Sequence, residues 1–169
     1  MKIAGFELTQ KININKVDLF LNGAAVRTKF FIQTYIISLY CASPIVKDVD
    51  GIESNIERSL RMQIITPLAT AKTVSENILQ GMKNGLGKLY TQQADLVEDL
   101  RAVIEASAVQ YKDIIDIYYT KTGVLKIYKN ETEIYHNKKG KLFAETIFGI
   151  YLGNQPKDKK IKDALLKGF

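Results

Sequence analysis

The chain has 169 residues, with 24 Lys or Arg against 18 Asp or Glu and a formal net charge of +6 at pH 7. That length fits one domain, residues 1–169, able to bury a core without metal or disulfide staples. No apolar run approaches the length of a membrane-spanning helix, which excludes an integral membrane segment, and the lysines are scattered among acids without the arginine–aromatic array that would point to nucleic acid.

Residues 3–9 and 17–22 pattern as short strands, and Asn22-Gly23 is a strong hairpin signal expected to end the second. A long β-rich stretch follows from residue 25 to 42. Its centre is apolar on both alternating faces, as in an interior strand covered on both sides. Ser43-Pro44 ends it. A polar connection with a helical turn covers residues 48–58, and residues 60–66 read as another strand, stopped by Pro67.

The middle of the chain is helical. Thr73-Val74-Ser75-Glu76 has the form of a capping box, and Val74, Ile78, Met82 and Leu86 make the apolar stripe of the helix it opens. Gly85 and Gly87 are expected to end that helix. Thr91 reads as the cap of a second one, with Leu96, Leu100, Val103 and Ile104 on one side. Strands return after Asp113, over residues 114–119, 124–128 and 132–136, with turns at Lys121-Thr122-Gly123 and near Asn130. Asn137-Lys138-Lys139-Gly140 breaks the run. A helix over 141–151 and a short basic helix after Pro156 close the chain. Strands before and after a helical block argue an α+β fold, one large antiparallel sheet with helices layered on one face.

Chemistry-bearing signals are few. The densest basic patch, Lys157 to Lys162 with Lys167 beyond it, reads as a solvated helix face. Cys41 is the only cysteine, so no internal disulfide can form, and its apolar surroundings make it a small buried hydrophobe. His136 is the only histidine and sits at a strand end as a solvated turn residue, so no His-based triad is supported. No Cys/His spacing suits zinc, and residues 81–87 lack the pattern of a phosphate loop, so neither metal nor cofactor is expected. After Met1-Lys2 the chain goes directly to Ile3-Ala4-Gly5 with no signal-peptide pattern. It reads equally as a cytoplasmic start or as an exported, periplasmic chain whose signal peptide has been removed.

Arg27 is the most informative residue. It stands just after Asn22-Gly23, at the mouth of the long apolar stretch. A guanidinium buried near so much hydrocarbon is costly unless an anion or several acceptors meet it. An acidic or phenolic ligand would do so, and so would an ion pair at a sheet edge.

Three ordered segments carry a family resemblance. They are Asn22-Gly23-Ala24-Ala25-Val26-Arg27 with Leu39-Tyr40; Pro67-Leu68 followed by Val74-Ser75-Glu76-Asn77; and Glu145-Thr146-Ile147-Phe148-Gly149 running to Leu152-Gly153-Asn154-Gln155-Pro156. Together they resemble the chalcone isomerase fold family, particularly its bacterial branch. The resemblance implies an open-faced β-sandwich, and the family includes true isomerases as well as non-catalytic fatty-acid binders. Carried over by position, Arg27 matches the arginine that faces the ligand in both kinds of member. Asn77 matches the isomerases' active-site asparagine, and Thr146 their threonine near the substrate's phenolic end. The isomerases' active-site tyrosine falls in a shortened segment, Thr70 to Thr73, that has no tyrosine. Their long-strand threonine aligns with Tyr35, next to Thr34.

The chemistry explains the residue types. Chalcone ring closure adds a phenolate oxygen to a conjugated carbonyl, so a protein must position the anion and stabilise charge moving to the enolate. A guanidinium stays charged and offers donors in a fixed plane, while Asn and Thr add neutral hydrogen bonds. The same arginine can hold a carboxylate instead. The leading expectation is therefore a small lipophilic acid or phenol bound between sheet and helices, with the anion on Arg27 and with Thr34, Tyr35, Asn77 and Thr146 around it. An intramolecular lyase is the alternative, and a structural or partner-binding domain with a self-filled cleft is the third. The oligomeric state is left open.

One geometric difficulty stands. Arg27 and Tyr35 are eight residues apart, roughly 26 Å in an uninterrupted strand. They can share a pocket only if the chain bends between Thr28 and Gln33.

Overall fold

The structure is a computed structural model that describes residues 1–53, 55–86, 91, 93–137, 141–153 and 158–168. Gly87 of the expected helix end, Lys138 to Gly140 of the expected break and Asn154 to Lys157 of the third resembling segment and basic patch lie outside the described residues.

A small amino-terminal hairpin pairs β1 (Lys2–Ile3) with β2 (Phe6–Glu7). Among the described residues, seven further strands form one antiparallel sheet in chain order: β3 (Lys11–Ile14), β4 (Val17–Lys29), β5 (Ile32–Cys41), β6 (Arg58–Ile64), β7 (Ile114–Tyr119), β8 (Leu125–Lys129) and β9 (Thr132–Asn137). A short helix α1 (Asp48–Glu53) lies between β5 and β6. Helices α2 (Ala71–Leu86) and α3 (Ala94–Ala106) separate β6 from β7, and α4 (Lys141–Leu152) and α5 (Lys159–Leu165) follow β9. This is the expected α+β architecture.

Alternation along β5 sends Tyr35, Ile37, Leu39 and Cys41 into the core beneath the helices, while Ile36 and Tyr40 join a second cluster on the opposite face with Leu8, Leu19 and Leu21. The helices contribute their predicted stripes, with Val74, Ile78 and Met82 from α2 all buried. On α3 the buried line is Val97, Leu100 and Ile104, with Leu96 and Val103 at its margins.

Three local expectations are corrected. First, Asn22-Gly23 is not a hairpin. It lies inside β4, where the pairing with β5 shifts register between Leu21 and Gly23. The Asn22 side chain is buried there, donating to Ile45 O and Leu165 O at 2.7 Å each and accepting from Ile45 N–H at 2.8 Å. A Cβ on Gly23 would stand 2.1 Å from Ala164 O, so the glycine serves close approach of α5 rather than turn formation.

Second, the stretch from 25 to 42 is two strands. The chain reverses at Phe30-Phe31, whose φ values of 48° and 66° are the left-handed pair that a two-residue hairpin needs. The left-handed region costs an ordinary L-residue roughly 1–2 kcal/mol, so such turns usually carry Asn or Gly, and with two phenylalanines in their place this one has no sequence signature. The reversal makes Arg27 and Tyr35 direct cross-strand partners.

Third, the helix starts come elsewhere. Thr70 caps α2: its Oγ1 accepts from Thr73 N–H at 3.2 Å, and Thr73 Oγ1 accepts from Thr70 N–H at 2.9 Å. The reciprocal pair thus sits three residues before the expected one, with Thr73 in the place usually held by Glu. For α3 the cap position is Gln93, which makes no side-chain cap hydrogen bond, so Thr91 is not the cap.

A cleft between the hairpin and α2

The β4–β5 hairpin, the β6–α2 connection and the first turns of α2 frame a cleft of about 220 Å³. Its hydrocarbon comes from Phe30, Ile32, Leu68, Ala69 and Val74, and its polar groups from Lys29, Thr34, Thr66, Thr73 and Asn77, with Tyr35 among the lining residues. The hairpin reversal brings Thr34 and Tyr35 into place, and the early start of α2 turns Asn77 toward the cleft one helical turn after Thr73. The Asn77 amide donates to Thr73 O at 2.7 Å, and Thr34 Oγ1 donates to Arg27 O at 2.9 Å.

Tyr35 leads from the cleft to the interior. It is buried, and its hydroxyl lies 2.8 Å from that of Tyr151 on α4. Burial pushes the Tyr35 phenol up; the bond to Tyr151 and the charge of Arg27 pull it partly back. Burial, then proximity to Tyr35, holds Tyr151 well above its ordinary value, again with Arg27 opposing. Both phenols are therefore neutral donors at neutral pH. Two hydroxyls share one hydrogen bond, so one proton remains to be given to an acceptor.

Arg27 is on β4 across from Tyr35, with its side chain 17% exposed. It does not line the cleft itself. Its Nη1 donates to Asp158 Oδ2 at 3.3 Å, a single-pronged contact. The same carboxylate caps α5 by accepting from the Lys160 and Ile161 N–H groups through Oδ1. Among the described residues, Nη1 is the engaged end of the guanidinium, and Nε and Nη2 retain donor capacity.

Of the sequence candidates, Thr34, Tyr35 and Asn77 thus meet in one cleft, with Arg27 immediately behind Tyr35. Thr146 does not join them. It is buried on α4, and its hydroxyl donates to Leu142 O one turn earlier at 2.8 Å, the back-bond common for helical threonine.

Sequence reasoning missed Tyr151 and Asp158. The Asp-Lys-Lys-Ile order after Pro156 is a helix-cap signal that could have flagged Asp158, but nothing local points Tyr151 toward Tyr35. It also missed a second inward guanidinium. Arg58 is completely buried, with Nη2 donating to Ile52 O at 2.7 Å and Nη1 to Ile56 O at 2.8 Å. Its guanidinium lies 4.6 Å from the Tyr119 ring centroid and 4.7 Å from that of Phe148. Burial lowers its pKa to about 10, so it stays charged at neutral pH. Two carbonyls and two ring faces hold this arginine as a structural clasp between α1, β6 and α4.

The described residues contain no cluster of His, Cys, Asp and Glu able to hold a metal, and no described helix is long and apolar enough to cross a membrane.

Comparison with known proteins fixes the family. Residues 1–167 match the chalcone isomerase-like family. The chain belongs to the chalcone isomerase-like family. Among solved structures, this family member is similar to a fatty-acid binding protein of Arabidopsis thaliana, at 18% sequence identity and a TM-score of 0.80, over 96% of this chain and 92% of that one. At that identity the likeness speaks for the fold. No curated protein matches the chain.

Proposed function

We propose that this chalcone isomerase-like protein binds a small lipophilic acid, or a phenol of similar size, in the cleft between the β4–β5 hairpin and α2. The observation that carries the reading is the pairing of an apolar cleft with a partly engaged guanidinium behind its tyrosine wall. Hydrocarbon of the ligand would lie against Ile32, Leu68 and Val74. Its anionic end would accept a hydrogen bond from the spare O–H of the Tyr35–Tyr151 pair, with the positive charge of Arg27 acting from behind that pair and Thr34 and Asn77 orienting the ligand. Binding of fatty acids by the Arabidopsis relative supports an acid. The cleft volume of about 220 Å³ lies below the roughly 300 Å³ at which drug-sized pockets begin, which favours a medium-chain acid or a one-ring phenol over a fully enclosed long acyl chain.

An intramolecular lyase would use the same guanidinium to stabilise phenolate and enolate. The segment where true isomerases carry a tyrosine holds Thr70 and Thr73, whose hydroxyls are committed to each other and to the helix start. That favours binding over turnover.

Displacement of a fluorescent fatty-acid analogue by octanoate and longer acids, with native mass spectrometry of the complexes, tests the reading. Binding by the parent and weakened binding by Arg27→Met and Asn77→Leu is the expected result. A parent protein that takes up neither acids nor phenols overturns it, and chalcone turnover abolished by Arg27→Met would replace it with the lyase.

A further inference from the structure

The chain spends two aromatic residues where turn chemistry calls for others. Two further hairpins have the same pair of left-handed residues, and each opens with asparagine: Asn15-Lys16, at φ 54° and 66°, and Asn130-Glu131, at φ 47° and 70°. At the β4–β5 turn the pair is Phe30-Phe31. Asparagine tolerates that backbone and a bulky ring does not, so folding does not account for the phenylalanines. They are also not packed. Phe30 is 83% exposed, Phe31 fully so at 103%, and Leu68 at the facing edge of the cleft is 66% exposed. Ile32 is exposed beside them. Four of the large exposed hydrophobics of the described residues thus gather around the mouth of one cleft.

Charge points to the occupant. Residues 27–34 and 65–73, the two segments at the mouth, contain Arg27, Lys29 and Lys72 and no carboxylate. Lys29 and Lys72 are exposed, and the Lys29 ammonium lies 5.7 Å from the Phe30 ring centroid. A narrow tip of aromatic and aliphatic side chains, flanked by two exposed lysines, suits a soft phase that closes around it and carries negative charge at its surface. A folded partner or a second copy would have to present a matching hollow.

We propose that the β4–β5 hairpin tip is a membrane-docking finger: Phe30, Phe31 and Leu68 enter the headgroup region of an anionic phospholipid bilayer, Lys29 and Lys72 meet its phosphates and carboxylates, and the cleft mouth is set against the bilayer. Apolar insertion combined with basic attraction is the general recipe for reversible binding at a lipid surface. The docking rests on surface chemistry alone. Its purpose rests on the ligand reading above, since a lipophilic acid could then pass between bilayer and cleft without crossing water.

The chain has no tryptophan, so Phe31→Trp places a single reporter at the tip. Its emission shifts to the blue on adding vesicles of equal parts phosphatidylserine and phosphatidylcholine, and shifts less with phosphatidylcholine alone. In co-flotation with the mixed vesicles, Phe31→Gly, which suits a φ of 66°, loses about tenfold in partitioning relative to the parent, and Lys29→Glu also weakens it. Unchanged tryptophan emission, or equal flotation of parent and Phe31→Gly, overturns the proposal. So does a parent that ignores vesicles but forms a dimer that Phe31→Gly dissociates, which would assign the tip to a second copy. Phe31 does not line the cleft, so octanoate binding in vesicle-free solution is read separately. A protein that docks but takes up no acid keeps this proposal and loses the previous one, and the converse holds.

Discussion

Tyr35 and Tyr151 meet hydroxyl to hydroxyl at 2.8 Å, tying β5 to α4 below the cleft. Removing one hydroxyl strands the other in a dry interior, whereas removing both leaves nothing to satisfy. Tyr35→Phe and Tyr151→Phe are each expected to destabilise by about 1–2 kcal/mol, and the double variant by no more than either single one. Urea unfolding of the four proteins measures the coupling; additive losses would show that the hydroxyls do not depend on each other.

Asp158 has two jobs that substitution can separate. Asn at this position still caps α5 but no longer neutralises Arg27. Asp158→Ala is expected to cost about 1 kcal/mol more stability than Asp158→Asn, because the ion pair itself is partly solvated and contributes little. Under the proposed function, Asp158→Asn should bind octanoate several-fold more tightly and leave a neutral phenol unaffected. Equal octanoate affinities by calorimetry would remove Arg27 from the anion site.

Asn22 holds three hydrogen bonds in a buried notch between β4, Ile45 on the β5–α1 connection and the end of α5. Asn22→Ala leaves one amide and two carbonyls unmet, at an expected cost of about 3 kcal/mol. Gly23→Ala, which drives a methyl into the Ala164 carbonyl, should cost at least as much. Thermal unfolding checks both, and a shift of less than a degree for Asn22→Ala would mean the notch is wet.

The acid limb of stability should depend on Asp113. Burial pushes this carboxyl up, but the Asn130 amide, the Gln110 N–H and Lys129 together outweigh burial and hold it below its ordinary value. A depressed carboxyl contributes stability that is present above the unfolded value of roughly 3.9 and is lost as pH falls through the lower folded value. The urea midpoint of the parent should decline through that window. Asp113→Asn should have a lower midpoint at neutral pH and a shallower decline; identical slopes would remove Asp113 from the account.

Much of the fold could be read from periodicity. Val74, Ile78 and Met82 recur at helical spacing, and the strands after Asp113 alternate and end at recognisable turns. What escaped was either a turn with no turn residues or a long-range contact. Phe30-Phe31 carries no glycine or asparagine, so one strand was read where there are two. The apparent distance between Arg27 and Tyr35 was the direct consequence. Asn22-Gly23 looked like a local turn because its real partners, Ile45 and Leu165, lie 23 and 143 positions away. The partners of the site are equally remote: Tyr151 is 116 positions from Tyr35, and Asp158 is 131 from Arg27. Spacing rules work along an element and carry no information about such meetings.

The β6–α2 connection has a consequence for how this scaffold can diversify. It leaves the sheet between two strands that already match each other at six positions, from Arg58 with Tyr119 to Gln63 with Ile114. Lengthening such an excursion carries only a slowly growing entropic cost. Residues 66–69, between the Ile65 contact to Thr34 and the Thr70 cap, can therefore be swapped or extended to re-cut the entrance while the ladder beneath keeps its register. Ligand preference and architecture become separately heritable traits of one chain.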